Sequence, residues 1–377
     1  MTKISLRAVT IAALRPALLI AAVAAMAAPA AAASGRMSAS PFIKSGTTSK
    51  LIGSTVPPNG DVNPYGLAIV PSSAGALTAG DYLISNFNAK SNNQGTGTTI
   101  VQLSPAGKRS VFAKLSAGSL SGSCPGGVGL TTALGILPGG YVVVGSLPTT
   151  NGKSATAKAG CLIVLNDRGK AVETLGGQKI QGPWDMATVT HGSATTLFVS
   201  NVLVGGAAAG THMIDKANVV RVRLHTGGGV PKLIDEQVIA SKIPWRDDKA
   251  ALVIGPTGLA LGANGTLYVA DTLMNRIIKI PQAMTRATPL ADSGITLSAG
   301  GHLKQPLGLE VAPNGDIVTT NAGDGNLVET TSSGQQIAVV GGDVKAGGGS
   351  LFGLTIGPGG KGVAYVDDAQ NTLRLLA

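Results

Sequence analysis

The chain has 377 residues, 44% of them hydrophobic but only 3% aromatic, and 54 are glycine, far above the usual share of about 7%. That composition can build a sizeable core, and it favours many short strands and tight turns over long helices. The formal charge of +10 comes from scattered basic residues with no five-residue basic run. Nucleic-acid binding, which wants a basic stripe interleaved with stacking aromatics, is therefore set aside.

The first residues, "MTKISLRAVTIAALRPALLIAAVAAMAAPAAAASG", carry Lys3, Arg7 and Arg15 ahead of an Ala/Leu/Ile run that ends in small residues. This is the layout of a secretory signal peptide, with cleavage expected after Ala33. An uncleaved membrane anchor is disfavoured by Pro16 and by the weak hydrophobicity of alanine. Removing Lys3, Arg7 and Arg15 lowers the formal charge from +10 to +7. The expected organisation is a signal peptide over 1–33, a disordered linker over 34–41 and one domain over 42–377. The mature chain would lie outside the cytoplasm, periplasmic or extracellular, without a membrane span. Cys124 and Cys161, an even count in an exported chain, read as one disulfide.

Beyond residue 60 one motif recurs: "P-x-G-Leu-Ala", an apolar strand, a Gly turn, and a second apolar strand ending in Asp or Asn. The copies are "NPYGLAIV" with "GDYLISN", "GVGLTTALGILPGGYVVVGS", "GPWDMATV" with "TTLFVSN", "GPTGLALGANGTLYVAD", "QPLGLEVAPNGDIVTTN" and "LFGLTIGPGGKGVAYVD". In the fourth copy Asn264-Gly265 is expected to form a type I′ hairpin with positive φ at both turn residues. A third strand follows each copy ("TTIVQL", "CLIVL", "NVVRVRL", "NRIIKI", "NLVET", "NTLRLL"), and a weaker fourth follows most of them. Six repeats of four antiparallel strands predict an all-β, six-bladed β-propeller. The last copy stops after its third strand, while "SKLIGSTV" (49–56) stands as an orphan strand before the first. Pairing the two completes the sixth blade and removes two exposed sheet edges.

The stretch "GPTGLALGANGTLYVADTLMNRIIKI" (255–280), with its Gly-Leu-Ala strand, Asn-Gly turn, "YVAD" and "NRI" elements, resembles an NHL repeat. The mature chain is similar to exported bacterial NHL-type six-bladed propellers, a group allied to the gluconolactonase-like propellers. The resemblance implies the fold; lyases, lactonases and pure binding proteins share that fold, so it does not fix an activity.

With the strands of each blade named a to d from the axis outward, b–c loops and d–a connections emerge on one face, and a–b and c–d turns on the other. The long segments "FNAKSNNQGTGT", "SLPTTNGKSATAKAG", "VLVGGAAAGTHMIDKA" and the connections "SAGSLSGSCPGG" and "EQVIASKIPWRDDKAAL" all fall on the first face, in blades one to three. Long loops on a rigid scaffold are where binding residues concentrate. The expected function is a scaffold that binds a small molecule or an extracytoplasmic protein there. The alternatives are a metal-dependent lyase or lactonase-like hydrolase, and a structural surface protein.

The b-strand ends supply Asn86, Asn201, Asp271, Asn321 and Asp367, one per blade except in the second, with Asp185 near the start of an inner strand. These form the candidate site at the channel mouth, suited to a divalent cation such as Ca²⁺. The competing reading is that each Asx caps its own turn. Lactonase-like propellers, by resemblance, hold a metal with Glu, Asn and Asp. Here Gln181 of "QGPWD" stands where their Glu would be, leaving Asp185 or Glu310 as the carboxylates at hand. His191, His212, His225 and His302 are split between the two faces and make no zinc cluster, and no G-x-S-x-G elbow occurs.

Overall fold

Each recurring "P-x-G-Leu"-type segment forms the innermost strand of a separate antiparallel sheet, and six such sheets surround one channel. The computed structural model describes residues 40–177, 179–204, 210–342 and 350–377. The expected signal peptide and the linker as far as residue 39 lie outside the described residues.

The inner strands are β2 (Val62–Ile69), β6 (Leu130–Leu137), β10 (Gly182–His191), β15 (Pro256–Leu261), β19 (Pro306–Val311) and β23 (Leu351–Ile356). Blade one continues outward through β3 (Tyr82–Asn88), β4 (Thr99–Leu103) and β5 (Arg109–Lys114). Blades two, four and five repeat that order with β7 (Tyr141–Ser146), β8 (Cys161–Leu165) and β9 (Ala171–Leu175); β16 (Leu267–Asp271), β17 (Arg276–Ile280) and β18 (Ile295–Ala299); and β20 (Ile317–Asn321), β21 (Asn326–Thr330) and β22 (Gln336–Gly341). Their middle strands are mostly buried: "YVVVGS" and "CLIVL" in blade two show how β-branched side chains fill both sheet faces.

The ring closes as the orphan strand predicted. β1 (Ser49–Ser54) is the outermost strand of blade six and pairs antiparallel with β25 (Thr372–Leu376), Ser49 opposite Leu376 and Ser54 opposite Thr372. Ser49 Oγ lies 2.7 Å from the Tyr365 hydroxyl and 3.0 Å from Arg374 Nε. Just upstream, the Glu329 carboxylate accepts the N–H groups of Phe42 (2.9 Å) and Ile43 (2.8 Å), and Ile43 is buried in the blade-five and blade-six core.

Two local expectations change. The Asn264-Gly265 turn is not type I′: Gly265 has positive φ (75°) and Asn264 does not. Gly262 and Gly265 instead bracket a four-residue turn, with Gly265 N–H bonded to Gly262 O, and Thr266 N–H bonded to the Asn264 side chain. This is the longer hairpin built on a turn plus one left-handed glycine. The second change is in blade three. The segment "EQVIASKIPWRDDKAAL", expected as a connection, is mostly strand: β13 runs from Lys232 to Asp248 and pairs along β12 (Ile214–His225), with Ile214 opposite Trp245. A short β14 (Leu252–Ile254) adds a fifth strand to that sheet. The segment has no glycine to stop it, and Ile243 and Trp245 are fully buried, so burial carries the pair beyond the ordinary blade length.

A bulge interrupts every a–b pair at the recurring motif: between Pro64 and Leu67, Leu130 and Leu134, Pro183 and Met186, Pro256 and Leu259, Pro306 and Leu309, Leu351 and Leu354. The motif glycine is needed because neighbouring inner strands approach closely there. A Cβ on Gly308 would run into the Phe352 carbonyl, and one on Gly353 into the Tyr65 carbonyl. Blade three has Asp185 at that position.

Candidate functional site

The end of the channel nearest the long loops is filled by aromatic side chains. Tyr65, Trp184 and Phe352 hold the same place in their repeats, one residue before the bulge glycine or Asp185. Tyr65 stacks on Phe352 (ring centroids 4.1 Å) and on Phe87 (4.7 Å), while Trp184 meets Tyr65 and Phe87 edge-on at 5.7 and 5.8 Å. All four are buried. Burial, with the nearby Asp368 charge adding to it, pushes the Tyr65 hydroxyl well above the ordinary tyrosine range. This plug escapes a site-by-site reading of the sequence. The available signal was three of the few aromatics falling at one repeat position.

Below the plug the inner strands become progressively accessible: on β10, Trp184 is buried, Asp185 half-buried, and Thr188 and Thr190 exposed. The channel therefore opens toward the short a–b turns, as a cavity of about 330 Å³. Asp185 and Glu310 both line it. Asp185 accepts the Met186 N–H at 2.8 Å and a further backbone N–H from Leu259 of the next blade. Burial still pushes its carboxyl up to about 7, and the Glu310 charge adds to the rise. Glu310 accepts the Val311 N–H at 3.0 Å, and burial pushes it likewise to about 7. Two bonds to backbone for Asp185 and one for Glu310 are too few to offset removal of a carboxylate from water.

The five b-strand ends sit elsewhere. Asn86, Asn201, Asp271, Asn321 and Asp367 are fully buried and engaged close to home. Asn86 Nδ2 donates to Thr55 O (3.3 Å). Asn201 accepts the N–H groups of Gln181 (2.9 Å) and Gly182 (2.8 Å) and donates to Lys179 O (2.9 Å). Asp271 pairs with Arg276 Nε at 2.8 Å. Asn321 donates to His302 O (2.7 Å) and Asp324 (3.1 Å), and Asp367 accepts the Gln370 N–H (3.2 Å). Such bonds tie d–a connections and b–c turns to the blade. The six candidates are thus not brought to one point: Asp185 faces the cavity, and the other five are built into loop anchors.

A divalent ion bound as in lactonase-like propellers does not fit these residues. Gln181 replaces the expected glutamate, Asp271 is held by Arg276, and among the described residues no three His, Cys, Asp or Glu side chains converge as a metal site.

The long loops interlock. Gln94 of the blade-one loop donates through its side chain to Ala250 O, and its carbonyl accepts the Thr149 hydroxyl from blade two. Thr149 N–H donates to Gly95 O at 2.9 Å. The Cys124–Cys161 disulfide (Cα–Cα 5.3 Å) ties the connection before blade two to its third strand. Between the blade-two loop and the extended blade-three strands lies a cleft of about 540 Å³, walled by Lys153, Ser154, Thr211, Asp247, Asp248 and Lys249. Arg246 reaches Asp248 at 3.3 Å, and Asp247 N–H bonds Gly210 O at 3.0 Å.

No family model and no curated protein matches the sequence. Solved structures do match in fold. Calcium-binding regucalcin from Agrobacterium tumefaciens superposes with a TM-score of 0.53 at 14% identity, covering 87% of this chain and 94% of that one. A putative gluconolactonase gives 0.50 at 16% identity, over 89% and 93%. Virginiamycin B lyase from Staphylococcus aureus, in a catalytically inactive form with quinupristin, gives 0.50 at 13% identity, over 87% and 85%. At such identities the likeness establishes the six-bladed propeller architecture and nothing of the chemistry. Among the described residues no helix is long and apolar enough to cross a membrane.

Proposed function

We propose that this chain is an exported, non-catalytic binding propeller whose ligand, a small molecule or an extracytoplasmic protein, docks on the long-loop face of blades one to three. The observation that carries the reading is the interlocking of those loops through Gln94, Thr149 and Ala250 beside the Lys153–Lys249 cleft. Loops fixed before binding lose little entropy on binding. The aromatic plug behind them supports docking on the face over entry into the channel. The disulfide suits an oxidising compartment, in keeping with export.

A lyase or lactonase-like hydrolase is the less favoured reading, because Gln181 stands where the glutamate of such propellers would be and among the described residues no three His, Cys, Asp or Glu side chains converge. The test is a binding and turnover panel of saccharides, peptides and lactones on the folded protein, repeated with Lys153→Glu/Lys249→Glu. Binding that the double variant weakens about tenfold or more, with an unchanged melting temperature, supports the proposal. Lactone or peptide-lyase turnover would replace it with the enzymatic reading, and a ligand bound equally by the variant would move the site.

A further inference from the structure

The long-loop face of blades one to three carries a lopsided charge. Over residues 89–98, 147–160, 210–216 and 244–251 the exposed charged side chains are Lys90, Lys153, Lys158, Lys216 and Lys249, with Asp215 the one exposed acid. The other carboxylates there are spent or buried. Asp248 pairs with Arg246 and accepts the N–H groups of Ala250 (2.9 Å) and Ala251 (3.1 Å). Asp61 accepts the Thr98 N–H and the Thr99 hydroxyl, and Asp247 is buried. None of the five lysines makes an ion pair among the described residues. Contacts join them into one surface. Lys153 and Lys249 wall the same cleft, and Gln94, four residues on from Lys90, bonds Ala250 O beside Lys249. The Lys90 stem lies over Gly60 and that of Lys158 against Gly126, while the neighbours of Lys216, Asp215 and Ala217, pair with Pro244 and Ile243 of β13. On the opposite face of the same blades the cations Lys108, Arg109, Arg168, Lys170 and Lys232 are interspersed with the partly exposed Asp81 and Asp167.

We infer, resting on the reading of this face as the binding surface, that its ligand is an acidic oligosaccharide, a chain of sugars bearing carboxylates laid across blades one to three. Lysine is a compact point charge on a flexible stem and demands no planar, forked partner. Lysines spread over three blades therefore suit charges repeated along a chain better than a single anion. Between them the exposed side chains are small or polar, such as Ser91, Asn93, Asn151 and Thr211, which match sugar hydroxyls. A protein partner would want aromatic or arginine anchors at a core depleted of lysine. Here Tyr65, Phe87, Trp184 and Trp245 are all buried. A membrane surface would want a broad apolar face beside the cations, and on these segments Met213 is the one large apolar side chain exposed.

The experiment is calorimetric titration of the whole folded protein with hexagalacturonate, with maltohexaose, a hexaglutamate peptide and phosphatidylglycerol-containing vesicles as comparators. The expected result is saturable binding of hexagalacturonate that weakens as salt is added. Lys90→Gln/Lys158→Gln/Lys216→Gln should weaken it about tenfold, and the charge-matched Lys108→Gln/Lys170→Gln/Lys232→Gln on the opposite face by less than about twofold. On wild-type protein, so that no variant need fold, hexagalacturonate should shield Lys90, Lys153, Lys158, Lys216 and Lys249 from acetylation, mapped by mass spectrometry, and leave Lys108, Lys170 and Lys232 reactive. Absence of hexagalacturonate binding, equal weakening by the two triple variants, shielding on both faces, or binding of any comparator as tightly would each overturn the inference. If hexagalacturonate fails while another ligand binds and Lys153→Glu/Lys249→Glu weakens it, this inference alone falls. A ligand that binds and leaves all five long-loop lysines reactive removes the binding-face reading as well.

Discussion

Asp185 and Glu310, on inner strands two blades apart, face one cavity, and the charge of Glu310 acts on Asp185 through it. Most other carboxylates discussed above are spent on holding the propeller together. These two are held by backbone donors alone, and both sit near neutrality.

The pair makes stability depend on pH, with a definite sign. Their ordinary values of 3.8 and 4.5 rise to about 7 in the folded protein, so the folded state binds more protons than the unfolded one between those limits. The stabilisation is complete below about pH 4 and is lost as pH rises through 7. Asp368, pushed up to about 7 by burial and by Asp367, acts in the same direction. Asp185→Asn is expected to raise the melting temperature at pH 8 by roughly 2–5 °C and to change it little at pH 4. Thermal melts at the two pH values check this; an equal shift at both would deny that the Asp185 charge is the cause.

Asp271 gives a contrasting case. Its carboxylate is fully buried and held by Arg276 at 2.8 Å. Arg276→Met, which leaves that charge without its partner, is expected to cost about 3–5 kcal/mol. Asp271→Asn should cost less and leave ligand binding unchanged. Urea denaturation measures the first, and the titrations above the second. A loss of binding in Asp271→Asn would return the b-strand ends to the functional site.

The disulfide closes a loop of 37 residues in sequence separation. Loop entropy assigns it about 4 kcal/mol, with 2–4 typical of measured bonds. Cys124→Ala/Cys161→Ala should lower the unfolding free energy in that range, measured by guanidinium titration against the oxidised wild type. Unchanged stability would mean that the bonds among the loops already fix that connection.

The anchoring of the N-terminal segment by Glu329 is also open to test. Removing its carboxylate leaves the N–H groups of Phe42 and Ile43 without their acceptor. Glu329→Ala should speed proteolysis near residue 42 while the blades stay folded. Cleavage kinetics equal to wild type would contradict this.

The blade count, the closure of blade six by Ser49–Ser54 and the Cys124–Cys161 pairing were legible because they follow from periodicity, chain ends and residue count. Those signals are local or arithmetical. The roles of the b-strand Asx residues were not legible, because an Asn that caps a connection and an Asn that faces a ligand have the same sequence signature. Only the partners decide, as Lys179 O and Gln181 N–H do for Asn201. The extended β12–β13 pair was missed because polar residues such as Asp215, Lys216 and Lys242 look like loop until Ile243 and Trp245 are seen to be buried. Asp185 and Glu310 were visible as spare carboxylates, but their shared cavity depends on two blades separated by a third.

The most direct test of the binding account is hydrogen–deuterium exchange on the folded protein with and without the ligand identified from the panel. The account predicts added protection in the blade-two loop over 149–156 and at the end of β13 and just beyond it over 245–250, with the short-turn face unchanged. Protection confined to the inner strands around Asp185 and Glu310, with the long loops unaffected, would contradict it.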